Sequence, residues 1–148
     1  MKRKMISLVA FLMLATMAVE VAGCNLKKPD IGAGNVAASV VESKDELVVI
    51  KAEESVAGTT LIDLMEILKT EGSLLYEISA GMITSINGVT NAVDFSSCWM
   101  LYTSDEEMSN AEWGTVEYNG QALGSAIVGA EALEIAEGEL YVWSYQSF

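Results

Sequence analysis

Histidine is absent from this 148-residue chain. With it go the catalytic triads, zinc sites and proton relays that depend on imidazole, and catalysis becomes an unattractive reading. Carboxylate pairs of the kind that hydrolyse glycosides carry little weight, because 21 Asp and Glu residues guarantee near neighbours by chance. No glycine-rich phosphate loop is present either. Gly32-Ala33-Gly34 lacks the strand-to-helix context such a loop requires. Asp105-Glu106-Glu107 lacks the spaced ligands and the glycine of a calcium loop, so it reads as a solvated loop and no metal or cofactor is expected. Basic residues are scarce, eight against the 21 acidic ones, for a net charge of −13. Outside Lys2, Arg3 and Lys4 they are Lys27, Lys28, Lys44, Lys51 and Lys69, which do not cluster around aromatics. Binding to nucleic acid by counterion release needs such clusters, and no nucleic-acid partner is expected.

What is present begins at the amino terminus. Lys2, Arg3 and Lys4 precede a largely apolar run from Met5 to Ala18, and Val21-Ala22-Gly23-Cys24 follows. Positive charge held on the cytoplasmic side, an apolar run and small residues before a cysteine make a secretory signal ending in a lipobox. A spanning helix needs about 20 apolar residues, and Glu20 interrupts this run before that length. Residues 1–23 are therefore expected to be a lipoprotein signal peptide, with Cys24 the lipidated first residue of the mature chain. An ordinary signal peptide or an anchor helix is the alternative. Removal of residues 1–23 takes away three basic residues and one acidic residue, leaving a net charge of −15. Cys98 then has no intramolecular partner, no disulfide framework exists, and Cys98 reads as a small buried hydrophobe.

Residues 24–45 are rich in Lys, Ser, Gly and Ala and hold the single proline, Pro29. They read as a tether, with an extra strand over Val36–Val41 as the alternative. Residues 46–148 suffice for one compact domain. Glu46–Ala52 is short, β-branched and bounded by polar residues, hence a strand. Thr60 and Asp63 stand at capping-box spacing, Leu61, Leu64, Met65 and Leu68 recur at helical intervals, and Gly72 supplies a left-handed stop. Tyr76–Ile86, with Gly81 inside it, predicts a strand leading into the Asn87-Gly88 turn. Further strands are predicted over Ser97–Thr103, Thr115–Tyr118, Leu133–Ile135 and Leu140–Tyr145, with turns at Asn119-Gly120 and Glu137-Gly138. Strands around a single long helix make an α+β domain.

Four segments in order, Gly58–Leu64, Ile83–Val89, Trp99–Tyr102 and Ala136–Trp143, resemble the transcobalamin-like C-terminal domain family over about residues 46–148. The resemblance implies a β-grasp-like mixed sheet packed on one main helix, and a role in binding a soluble ligand such as cobalamin or another corrinoid for delivery to an uptake system. The family's asparagine-glycine turn after its tryptophan strand is replaced here by Thr103–Met108, with Asn119-Gly120 arriving later, which implies an insertion. Rigid aromatic side chains give large contact area at low entropic cost, so Trp99, Tyr102, Trp113 and Tyr118 are the candidate ligand contacts. Ser85 and Asn87 either orient polar ligand edges or only shape the turn. Trp99 and Trp143 lie on apolar strands and suit core packing better than a ligand surface, whereas Trp113 lies between Glu112 and Gly114 in a polar stretch and reads as exposed. The other reading is a surface adhesion or assembly module with a protein partner, since sheet edges can pair with further strands. On either reading the partners include a membrane, through the lipid anchor, and a transporter or surface protein. The place of action is extracytoplasmic.

Overall fold

The computed structural model describes residues 36–148. The signal segment, Cys24 and the first part of the tether, through residue 35, lie outside the described residues.

Two strands open the described chain, β1 (Ala37–Lys44) and β2 (Leu47–Glu54), an antiparallel hairpin turning at Asp45-Glu46. Residues 37–44, expected within the tether with a strand as the alternative, thus belong to the sheet. In β2, Val48, Val49, Ile50 and Ala52 are all buried, so both faces of this strand are covered. An uninterrupted β-branched run is what such a strand requires.

The helix α1 (Leu61–Thr70) starts where the capping-box spacing placed it. Asp63 accepts hydrogen bonds from the Thr60 N–H at 2.9 Å and the Thr60 hydroxyl at 2.8 Å. Gly72, at φ +78°, releases the chain at the other end. Tyr76–Ile86, expected as one strand, is two: β3 (Tyr76–Ser79) and β4 (Met82–Ile86). Ala80 and Gly81 both take positive φ, so Gly81 is not inside a strand but turns the chain between two. Asn87-Gly88 does the same before β5 (Val89–Thr90), completing a three-stranded sheet.

Four strands follow: β6 (Ser97–Thr103), β7 (Ser109–Tyr118), β8 (Gln121–Ala126) and β9 (Leu140–Ser147), with a 3-10 turn at Glu106–Met108 between β6 and β7. Leu133–Ile135 is not a strand. Its backbone is taken up at the start of α1, where the Leu61 N–H donates to the Leu133 carbonyl at 2.8 Å and the Ile135 N–H to the Thr59 carbonyl at 3.0 Å. The larger sheet has the order β1-β2-β9-β6-β8-β7. The expected mixed sheet is corrected: among the described residues every ladder is antiparallel. Tight reversals supply antiparallel neighbours directly, and β9 enters between β2 and β6 running against both. With one α-helix among the described residues the fold is broadly α+β.

Alternation along the central strands sorts their side chains into two cores. Val48 and Ile50 of β2, Trp99 and Leu101 of β6, and Tyr141 and Trp143 of β9 share one core with Leu61, Leu64, Met65 and Leu68 of α1 and with Tyr76, Ile83 and Ile86 of the small sheet. The opposite face carries a smaller core of Val49, Tyr102, Tyr118, Leu123 and Val142. Register also fixes the two ends of the sheet. Ser39, Lys51 and Leu140 are level at one end, and Ser97 and Ser147 at the other. Val36 and Phe148 therefore lie near opposite ends, about 30 Å apart at about 3.3 Å per residue.

Candidate functional site

The smaller core exists because the β7–β8 hairpin folds across the sheet. The hairpin is joined to β6 at just two positions, Tyr102 opposite Ser125 and Thr103 opposite Gly124. Beyond them Tyr118, next to the Asn119-Gly120 turn, packs in one cluster with Val142 of β9 and Val49 of β2. Its hydroxyl lies near Glu42 of β1. The Lys44 ammonium is the main cause that holds the Glu42 carboxyl below its usual range, and the Tyr118 hydroxyl adds to it. The hairpin is thus an arm laid over β6, β9 and β2 that reaches the far edge of the sheet.

At its base the arm carries a bulge. β7 pairs with β8 through Asn110 opposite Ser125 and resumes with Thr115 opposite Gly124, so Ala111–Gly114 loop out. Asn110 accepts from the Glu112 N–H at 2.9 Å, and Gly114 sits at φ +133°, a conformation closed to side chains. Between them Trp113 is 63% exposed. A β-carbon on Gly114 would lie 3.9 Å from the Tyr102 hydroxyl, so the Tyr102 ring lies against the bulge. Burial pushes the Tyr102 hydroxyl up from its ordinary pKa, with a smaller push from Cys98. Cys98, expected to be buried, is half-buried: it lies outside both cores, with its thiol 3.8 Å from the Met100 thioether.

Of the six candidate contacts, the fold brings Tyr102, Trp113 and Tyr118 to the arm. Trp99 is buried on the opposite face, where its indole N–H donates to the Val89 carbonyl at 2.8 Å and its ring meets the edge of Tyr145 at 5.4 Å. It ties the small sheet to the large one. Ser85 is buried in β4 beside Thr90. Asn87 accepts from the Leu75 N–H and donates to the Ser43 hydroxyl, both at 3.0 Å, linking the β4–β5 turn to β1. Trp143 is buried, with its indole N–H unpartnered.

Sequence reasoning missed a second exposed apolar group, Val93, Phe95 and Phe148, at the end of the sheet remote from Val36. The signal was available for Phe95, which stands between Asp94 and Ser96 much as Trp113 stands between Glu112 and Gly114. Among the described residues no three His, Cys, Asp or Glu side chains converge to hold a metal, and no helix is long and apolar enough to cross a membrane. No family model, no curated protein and no solved structure matches this chain.

Proposed function

We propose that the chain is a lipid-anchored extracytoplasmic binding module, not an enzyme, which captures a bulky, mostly uncharged solute of the corrinoid kind for an uptake system. Residues 1–23 serve as its signal and Cys24 as its anchor. The domain is β-grasp-like, a sheet wrapped on one main helix. The core shared by α1, β2, β6 and β9 supports that architecture.

The observation that carries the solute reading is Trp113. A four-residue bulge holds this indole in water while the Tyr102 ring supports the backbone beneath it. An exposed rigid ring on a braced loop offers a flat ligand an apolar face at little entropic cost. The high negative charge favours neutral or cationic solutes over anions.

The test is titration of the intact chain in neutral-lipid nanodiscs with cobalamin and cobinamide, followed by calorimetry and tryptophan fluorescence. Saturable micromolar binding, weakened at least about tenfold in Trp113→Ala, is expected. Absence of binding to both corrinoids overturns the solute assignment. Anchoring has its own readout: labelled palmitate enters the wild-type chain and not Cys24→Ala, and equal labelling of the two refutes the anchor.

A further inference from the structure

The end of the sheet remote from Val36 holds apolar side chains that the fold leaves uncovered. Val93, Phe95 and Phe148 are 101%, 54% and 79% exposed. They leave from adjoining backbone, because the Phe148 N–H donates to the carbonyl of Ser96 at 2.9 Å. The loop that carries two of them is tightly bonded. Phe95 N–H donates to the Ala92 carbonyl at 2.9 Å, and Ala92 N–H to the Ser97 carbonyl at 2.8 Å. The Asp94 carboxylate accepts from both the Ser96 N–H, at 3.1 Å, and the Ser96 hydroxyl, at 2.7 Å.

Phe95 stands at φ +58°. A bulky residue there is strained, and asparagine or glycine would relieve the strain. The strained residue nevertheless carries a ring that packs against neither core. Strained residues of this kind cluster at contact and ligand sites.

Three carboxylates lie at this end. Asp94 lies in the loop itself, and Asp45 and Glu46 lie in the β1–β2 turn, whose Glu46 carbonyl accepts from the Tyr145 N–H at 2.9 Å. All three are exposed. The Ser96 bonds hold the Asp94 carboxyl below its usual range. Lys44, in the same turn, is paired with Glu42, and Lys69 lies over the Tyr76 ring at 4.5 Å.

From this juxtaposition we infer that the end formed by residues 92–96, Phe148 and the β1–β2 turn is a docking surface for a cationic, apolar segment of another protein. Lys or Arg side chains of the segment meet Asp94, Asp45 and Glu46, and its apolar side chains cover Phe95, Phe148 and Val93. Acidic partners and anionic bilayers are repelled by the same field. The surface is separate from the Trp113 bulge and independent of the solute reading.

The probe is a twelve-residue synthetic peptide alternating Lys and Leu, compared with versions carrying Glu for Lys or Ser for Leu. Binding to the intact chain in neutral-lipid nanodiscs is read by anisotropy, with empty nanodiscs subtracted. The Lys–Leu peptide should bind at least tenfold more tightly than either other peptide. The double variant Phe95→Asn/Phe148→Ser should lose that advantage while its urea midpoint holds or rises, because asparagine relieves the strain of the positive φ. Asp94→Asn should weaken binding several-fold, and Trp113→Ser should leave it unchanged. Equal binding of the Lys–Ser peptide, or an equal loss in Trp113→Ser, would reduce the effect to general attraction by an acidic surface and overturn the inference. A dimer in sedimentation that the double variant abolishes would overturn it in favour of a second copy of this chain.

Discussion

Replacing Tyr118 with alanine takes away the ring by which the β7–β8 arm grips the sheet. Tyr118 is 8% exposed and shares its core with Val49, Tyr102, Leu123 and Val142. A buried aromatic side chain removes about 150–250 Å² from water, which at about 25 cal/mol/Å² corresponds to about 4–6 kcal/mol. The arm is held to β6 by two residue pairs and can settle into part of the space left behind. The expected loss is therefore about 3–4 kcal/mol, toward the lower end of aromatic-to-alanine substitutions. At about 0.05–0.15 kcal/mol per residue a body of this size has about 6–17 kcal/mol in all, so the loss is large. Urea unfolding followed by tryptophan fluorescence measures it, and Tyr118→Phe, which keeps the ring, should lose less than about 1 kcal/mol. Hydrogen exchange adds the spatial test: in Tyr118→Ala, amides of β7 and β8 should lose protection well before those of β2 and β9. A loss below about 1 kcal/mol, or protection falling evenly over the whole sheet, would refute the arm as a separately held element.

Alkali should loosen the larger core. Burial is the main cause that pushes the Tyr141 hydroxyl up to about 12 from 10, so the folded state favours its protonated form. The stabilisation is present in full below pH 10 and is lost as pH rises through about 12; urea midpoints should fall across that window and fall less steeply in Tyr141→Phe. At the base of the arm, a β-carbon on Gly124 would lie 3.0 Å from the Ser109 β-carbon and 3.2 Å from the Ala111 nitrogen. Gly124→Ala should cost about 1–3 kcal/mol in urea unfolding by overpacking, and Ser109→Gly in the same chain should recover most of it. An additive double variant would show that the crowding lies elsewhere.

The parts of the fold legible in the sequence were those fixed by local chemistry. Thr60, Asp63 and Gly72 mark the ends of α1 because a cap and a left-handed stop are set by a few neighbouring residues. Asn87-Gly88 and Asn119-Gly120 turn the chain for the same kind of reason. β8 was not legible: Gln121-Ala122-Leu123-Gly124-Ser125-Ala126 has little intrinsic strand preference and becomes a strand by pairing with β7 and β6. Leu133–Ile135 shows the converse, a strand-like pattern whose hydrogen bonds go to the start of a helix. The candidate site follows the same division. Trp113 is exposed, as its polar neighbours imply, and Trp99 and Tyr102, three residues apart on one strand, face opposite sides by alternation, but what covers each face depends on distant packing partners. The exposure of Phe95 was readable from its polar neighbours Asp94 and Ser96, but its positive φ was announced by no residue type in the loop.

The position of β9 also governs when this sheet can form. It is inserted between β2 and β6, so the last of these strands in chain order is the one that joins the β1–β2 hairpin to β6 and the strands beyond it. Until Leu140–Ser147 is available, β2 and β6 each present an open edge, and closing the sheet requires contacts across most of the chain length. Such non-local pairing slows folding and leaves a half-finished sheet exposed to mispairing. Every other strand of the larger sheet must therefore wait for β9 before the sheet can close.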